Sequence, residues 1–127
     1  MAVLGIIAHE MDSLGIPYEF MRWTSEQVPN RYWIGEYTET PTDSEDGHEE
    51  GTILLTGTTS GSWLDLEKDK KKIKRHFANI HGLRVATDMG AVAIFYGNSF
   101  PVDTGTADLK RMQINLQVKE WRNDQWV

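Results

Sequence analysis

Two clusters of opposite charge stand out among the residues that could do chemistry in this 127-residue chain. The acidic cluster contains seven carboxylates and no lysine or arginine: Glu36, Glu39, Asp43, Glu45, Asp46, Glu49 and Glu50. The cationic cluster surrounds one acid, Asp69, with six cations: Lys68, Lys70, Lys71, Lys72, Lys74 and Arg75. Carboxylate clusters can bind divalent cations, and cationic clusters attract acidic partners. The spacing within each cluster decides which of these chemistries is open to it.

The acidic cluster includes a segment, residues 43–50 (DSEDGHEE), with the composition of a calcium-binding loop. A calcium loop of the EF-hand type needs donors at alternate positions, then a glycine, then a closing glutamate at a fixed distance. The segment fails the alternate-donor pattern and lacks that glutamate. We therefore predict a solvated acidic tip, with loose cation binding as the alternative.

No pattern of a catalytic or metal site is complete in the sequence. His9 and Glu10 begin the HExxH zinc motif, but Ser13 stands where the second histidine is required. Paired acids and lysines in residues 65–71 are reminiscent of a nuclease site, yet they lie in one helix and do not converge. Cysteine is absent, and no GxSxG, Walker or GxGxxG motif occurs. We predict no enzyme activity, no metal site and no cofactor.

The cationic cluster has two interpretations. It is either a solvated helix face that keeps the protein soluble, or a docking surface for an acidic partner such as the acidic cluster of a neighbouring copy.

The tryptophans also allow two interpretations. Trp33 and Trp63 are predicted in the core, whereas Trp121 and Trp126 lie in a polar C-terminal stretch, where they are either interface anchors or surface residues.

Two helices are predicted from hydrophobic spacing. Apolar residues recur at intervals of three and four in the first helix: Leu4, Ile7, Met11 and Leu14. Gly15 and Pro17 end that helix. Ser62 and Asp65 form the capping box of the second helix, and Gly82 ends it. Its apolar seam is interrupted only by Lys70: Trp63, Leu66, Ile73, Phe77 and Ile80.

The strands are predicted from β-branched and aromatic runs and from alternation. Residues 18–23, 31–39 and 51–59 read as strands, and the second and third form a hairpin with the acidic tip. Residues 83–87 and 91–96 flank a tight turn, residues 97–108 read as a loop, and residues 109–121 alternate apolar with polar side chains. The polar side chains on one face of this last strand indicate that one face of the sheet is exposed to solvent, which is typical of an antiparallel sheet. The predicted class is α+β, with two helices packed on an antiparallel sheet and with projecting β-hairpins.

The last predicted strand is long for a protein of this size. Thirteen residues at about 3.3 Å each extend about 43 Å, whereas a chain of this length folds to a diameter of about 36 Å. A straight strand would project and leave an unpaired edge for a neighbour to cover, unless the strand bends.

Length and composition predict one soluble intracellular domain over residues 1–127, with the acidic tip at about 40–50 and a C-terminal tail at 122–127. The net charge of −6 argues against a dedicated DNA-binding domain. No apolar run approaches the roughly 20 residues that span a bilayer. The first residues lack the basic region of a signal peptide.

The order of the segments and their local sequences resemble those of a known family. An acidic hairpin ends in LTGTTSGSWLDLE, a basic helix contains IKRHF, and AIFYGNSFPVDTG and LKRMQINLQVKEW follow. This order is similar to that of tail-completion proteins of long-tailed bacteriophages, and more narrowly of tail terminator, or tail-to-head joining, proteins of siphophages and prophages. The resemblance covers nearly the whole chain and brings no catalytic or binding motif with it.

The resemblance implies a structural protein of the virion that is assembled in the host cytoplasm and has neither enzyme activity nor cofactor. It implies a homo-hexameric ring that caps the tail tube, stops its growth and joins the head connector or stopper protein while DNA passes through. A different neck component, such as a stopper or tube protein, is the second hypothesis. An unrelated binding module or small enzyme is the third.

The segregation of charge suggests how such a ring would be arranged. A lumen through which DNA slides should not bind phosphate, because cations there would supply strong affinity regardless of sequence. We therefore expect the acidic cluster on the lumen or a ring face, and the cationic cluster at an interface or on the outer wall.

Overall fold

The computed structural model describes residues 2–40, 48–78, 82–87 and 90–122. The helices and strands in these ranges follow one another as α1 (Ala2–Ser13), β1 (Tyr18–Phe20), β2 (Arg31–Thr40), β3 (His48–Thr59), α2 (Trp63–Phe77), β4 (Leu83–Thr87), β5 (Gly90–Val102) and β6 (Lys110–Arg122). The chain combines two helices with runs of three consecutive strands, and the predicted α+β class is confirmed. Asp43, Glu45, Asp46, Ile80 and Trp126 lie outside the described residues.

All six strands belong to one sheet, in the order β1-β2-β3-β6-β5-β4. Strand β6 lies inside the sheet and pairs with β3 from Lys110 to Trp121. On its other side it pairs with β5 from Arg111 to Arg122. The expectation that this long strand leaves an unpaired edge is wrong, because its own chain covers both sides.

The sequence predicted a purely antiparallel sheet. The observed sheet is mixed. Strand β1 runs parallel to β2, with Tyr18 opposite Trp33 and Phe20 opposite Gly35. An alternating pattern reveals which face of a strand is buried but not the direction of its neighbour. At three residues, β1 is also too short to show a pattern. Its end comes earlier than predicted, because Met21 has a positive φ of 70°.

A carboxylate organises the loop that follows β1. Glu19 accepts hydrogen bonds from the backbone N–H of Thr24 at 3.0 Å and from the hydroxyl of Ser25 at 2.8 Å. The Thr24 hydroxyl donates to the same carboxylate. These hydrogen bonds favour the charged form and lower the pKa of Glu19 below its ordinary value. Because β1 and β2 are parallel, the loop must return the chain to the end of the sheet at which β1 begins before β2 can start.

Helix α2 begins where its capping residues predict. The Ser62 hydroxyl accepts from the backbone N–H of Leu64 at 3.1 Å, and the Asp65 carboxylate accepts from the N–H of Ser62 at 3.3 Å. The helix ends at Phe77, so the predicted end at Gly82 is wrong. Trp63 is also not a core residue, since 42% of it is exposed. It lies in the first turn and lines a surface cavity beside the loop that joins β5 to β6.

The core lies between one face of the sheet and the two helices. The buried sheet residues alternate along their strands and include Trp33, Ile53, Leu55, Val92, Ile94, Met112, Ile114, Leu116 and Val118. The helices contribute Val3, Ile7 and Met11 from α1, and Leu66, Ile73 and Phe77 from α2. The four buried residues of β6 are those that its alternation predicts. The Glu10 carboxylate of α1 also contacts Nε2 of His76 in α2 at 2.9 Å.

Strand β5 continues beyond the residue at which a loop was predicted. Its pairing with β6 shifts between Tyr96 and Asn98 and then resumes as far as Val102. A β-bulge of this kind adds one residue to a strand and interrupts its alternation. Gly97 lies in this bulge. The turn-forming residues from Gly97 to Asp108 predict a loop there, but the strand resumes after the bulge.

Substituting Tyr18 is expected to change how stability depends on pH. The buried hydroxyl of Tyr18 has no hydrogen-bond partner among the described residues, and burial raises its pKa to about 12. The unfolded chain therefore ionises this group first, and the contribution of Tyr18 to stability falls as the pH rises from about 10 to about 12. The free energy of unfolding of Tyr18→Phe should therefore fall less steeply between pH values of about 10 and 12 than that of the wild-type chain. Urea unfolding at pH 7 and at several values above 10 measures this, with Tyr32→Phe as the control.

Candidate functional site

Asp69, the acid inside the cationic cluster, is buried beneath that cluster with only 1% of its surface exposed. Its Oδ2 accepts a hydrogen bond from Nε1 of Trp33 at 2.8 Å and lies 2.6 Å from Nε of Arg31. A carboxylate from α2 therefore contacts two alternate residues of β2. Alternate residues of a strand share one face, so the register of β2 directs both side chains towards the helix.

Sequence reasoning counted Asp69 as an exception within a run of cations and missed its structural role. A signal for that role was present in the spacing. Asp69 follows Leu66 by three residues and precedes Ile73 by four, which is the spacing of the buried helix face. Lys70, which was placed in this seam instead, is half-buried at its margin.

A cleft lies above Asp69, between α2 and the beginning of β2. We call it the cationic cleft. It has a volume of about 290 Å³ and is lined by Arg31, Lys68, Asp69, Lys71, Lys72 and Arg75. The four helical cations are spaced by three, four and seven residues, which places them in one stripe along α2. Arg31 comes from a strand that is distant in sequence, so only the folded chain completes the set.

The six cations of the cationic cluster divide into two groups. Lys70 contacts the Glu67 carboxylate at 2.9 Å, and Nζ of Lys74 lies 5.6 Å from the centre of the Tyr96 ring. The other four line the cleft: Lys68, Lys71, Lys72 and Arg75. Within residues 2–40, 48–78, 82–87 and 90–122, no carboxylate forms an ion pair with any of these four.

Positive charge is concentrated at the mouth of the cleft, whereas the cation at its base is paired with a carboxylate. Arg31 and Asp69 form a charge pair at the base of the cleft, so four formal positive charges remain around its mouth. Lysines act as mobile point charges, whereas an arginine presents a planar set of donors that matches a carboxylate or a phosphate. The cleft is therefore suited to bind an anion with several charged groups.

The described members of the acidic cluster lie on β2 and β3, beyond the end of β2 that carries Arg31. Glu36 and Glu39 are exposed on β2, Glu50 is exposed on β3, and Glu49 is half-buried. Thr40 pairs with Glu50, so these carboxylates occupy one end of the β2–β3 pair. Eight residues separate Arg31 from Glu39, which corresponds to about 26 Å along an extended strand. The structure thus separates the two clusters.

Trp121 lies on the face of the sheet opposite the helices and is half-buried. Its ring centre is 5.7 Å from that of His48 in β3. It also lines a cavity of about 410 Å³ with residues of β4 and β5, among them Arg84, Ala91 and Ala93. Its role as an interface anchor stays a prediction.

The acids that were weighed as metal ligands have separate contacts. Asp65 caps α2, Glu67 contacts Lys70, and Asp69 is buried under the cleft. Glu10, the acid of the incomplete zinc motif, contacts His76 across the two helices. Among the residues that the structure describes, no three histidine, aspartate or glutamate side chains are grouped so that they could hold a metal ion.

No protein-family model matches the sequence, and no curated protein matches it either.

Neither α1 nor α2, the helices of the described ranges, is long and apolar enough to cross a membrane.

Proposed function

We propose that this chain is a structural protein of a phage tail, a tail-completion protein that forms a ring on the tail tube, stops tube growth and joins the tube to the head connector. The residue resemblance set out above suggests this function. The observation that carries it is that, among the described residues, each side of the sheet has a stretch of strand edge that no other strand covers.

Each outer strand of the sheet covers only part of its neighbour. Strand β1 pairs with Trp33–Gly35, so no described strand pairs with the outer side of β2 at residues 36–40. Strand β4 pairs with β5 only at residues 90–94, which leaves residues 95–102 without a described strand on that side. The strand order places these open edges on opposite sides of the sheet.

Two different open edges favour head-to-tail assembly. An exposed strand edge presents backbone donors and acceptors to which a further strand can be added. If one edge of each copy meets the other edge of the next, the contact is heterologous, and such contacts close into a ring when the rotation between copies allows it. The resemblance suggests six copies. In this ring, β2 and β3 carry Glu36, Glu39 and Glu50 at one end of their pair, away from the cations of α2.

Tube assembly tests the proposal directly. The purified chain is added to polymerising tail tube protein from the same genome, and tube lengths are measured by electron microscopy. We expect shorter tubes with a ring-shaped density at one end. An unchanged length distribution at molar excess of the chain would overturn the proposal.

A pair of matched variants tests the open edge. Thr38→Lys places a charge on the open edge of β2, which disfavours addition of a strand. Thr52→Lys makes the same change at the residue that pairs with Thr38, inside the sheet. The first variant should lose ring formation and the second should keep it. Light scattering measures the assembled mass against the 14.5 kDa of one chain.

The same experiments separate the alternative functions. A chain that itself polymerises into tubes is a tube protein, and one that binds the connector but not tube ends is a stopper. A chain that stays monomeric in the presence of both partners is an unrelated binding module.

A further inference from the structure

We propose that the cationic cleft binds the acidic cluster of a second copy of this chain, so that neighbouring copies are joined by a charged contact. The inference rests on the proposed function: it adds a charged contact to the strand-edge contact between neighbours in the ring, and it places the acidic cluster against a neighbour instead of on the lumen. The evidence for it is the distribution of charge and the geometry of β2.

Each surface includes charged groups that form no ion pair with the described part of the chain. Lys68, Lys71, Lys72 and Arg75 line the cleft without an ion-pair partner there. At the other end of β2, Glu36 and Glu39 are exposed and likewise form no ion pair with the described residues. Complementary surface charges of this kind promote association and fix its register.

Glu36 and Glu39 cannot reach the cleft of their own copy, so the acidic cluster in the cleft is assigned to another copy. Arg31 and Glu36 are five residues apart on β2, and Arg31 and Glu39 are eight apart, which corresponds to about 16 and 26 Å. Strand β2 is paired with β3 along its whole length, so it cannot fold back on itself. Because the donor and acceptor surfaces are different, each copy can bind one neighbour at each end.

The charge of the whole chain favours an acidic segment over a nucleic acid as the occupant. The total charge is −6, and without the five cations that line the cleft the rest of the chain carries −11. Duplex DNA would extend beyond a cleft of about 290 Å³ and meet that negative surface. A peptide segment can place a few carboxylates in the cleft and approach nothing else.

Binding of a labelled peptide tests the contact without requiring ring assembly. The probe is a fluorescent peptide with the sequence of residues 36–50, and fluorescence anisotropy measures its affinity for the full chain. We expect binding at low salt that weakens strongly as added salt shortens the screening length to about 3–8 Å. A scrambled peptide of the same composition controls for non-specific charge attraction and should bind more weakly.

Two double variants on the same helix locate the binding site. Lys71→Gln with Lys72→Gln removes two cations of the cleft and should weaken peptide binding by about fivefold, since exposed charge pairs contribute modestly. Lys70→Gln with Lys74→Gln removes the same charge outside the cleft and should change the affinity by less than about twofold. Equal effects of the two double variants would overturn the proposal.

Exchange of charge tests the contact between full chains. One variant carries Glu36→Lys and Glu39→Lys, and the other carries Lys71→Glu and Lys72→Glu. Each variant alone should lose self-association, whereas a mixture should recover it, because opposite charges then meet at both contacts. Chemical cross-linking and light scattering measure the recovery. A mixture that remains as monomeric as its components would overturn the proposal.

The outcomes distinguish this inference from the proposed function. If the peptide fails to bind the cleft but the chain still caps tubes, the charged contact is wrong and the function stands. If the peptide binds and exchange restores association but tubes are unaffected, the contact stands and the function is wrong. Tighter binding of short duplex DNA than of the peptide, lost in the Lys71/Lys72 variant, would overturn the choice of occupant.

Discussion

Asp69→Ala is expected to lower the free energy of unfolding by about 3 kcal/mol, near the lower end of the range for breaking a buried ion pair. The variant removes the acceptor for Nε1 of Trp33 and the counter-charge for Arg31. The lower end applies because 34% of the Arg31 side chain is exposed, so water can solvate part of the released charge. Such a loss is a large share of the 5–15 kcal/mol that stabilises a typical domain. Urea unfolding at pH 7 measures it.

Asp69→Asn separates the two contributions. Asparagine keeps an oxygen that can accept from Trp33 but does not neutralise Arg31. Its loss of stability should therefore lie between those of the wild-type chain and Asp69→Ala. Asp12→Ala removes an exposed acid from α1 and should change stability by no more than about 0.5 kcal/mol. If Asp69→Ala is as mild as Asp12→Ala, the buried pair does not hold α2 on the sheet.

Features encoded within one element were predictable from the sequence. The alternation of β6 predicted its buried face because each inward residue meets the same core. The capping box of α2 predicted its start because Ser62 and Asp65 bond within one turn. The direction of β1 was not predictable, since it depends on how a loop returns the chain. The second half of β5 was missed because residues 97–108 are rich in turn-forming residues, and such a composition does not reveal that a strand resumes after a bulge.

The candidate site was predictable only in part. The cationic cluster is evident in the sequence, but which of its members share a cleft depends on how α2 is rotated on the sheet. The contribution of Arg31 depends on the register that places Arg31 and Trp33 opposite Asp69. Hydrophobic patterns do not reveal that an acid with the spacing of a buried residue has partners on a distant strand. A charged residue in an apolar seam therefore deserves to be tested as a buried, paired group.

Gly57→Ala is expected to destabilise the protein by about 2–3 kcal/mol, towards the upper end of the usual cost of overpacking. Gly57 pairs with Trp33, and a Cβ at this position would lie 2.5 Å from Cε2 of the indole. The indole cannot easily move away, because its Nε1 is hydrogen-bonded to Asp69. Gly5→Ala is the matched control. A Cβ there meets no atom within 4 Å, and alanine should stabilise α1 by about 0.5–1 kcal/mol.

The dependence of the Gly57→Ala effect on Trp33 tests whether the indole is the group that resists the new methyl group. In a Trp33→Phe background, the outer atoms of the indole that meet the new methyl group are absent, and the ring has no hydrogen bond to Asp69. The cost of Gly57→Ala should then fall by at least about 1 kcal/mol, which a double-mutant cycle measures as coupling between contacting residues. The same cost in both backgrounds would mean that the strand shifts instead of the ring being held. Coupling of the expected size would show that the position of the indole, which is hydrogen-bonded to Asp69, limits how the strand at Gly57 can be packed.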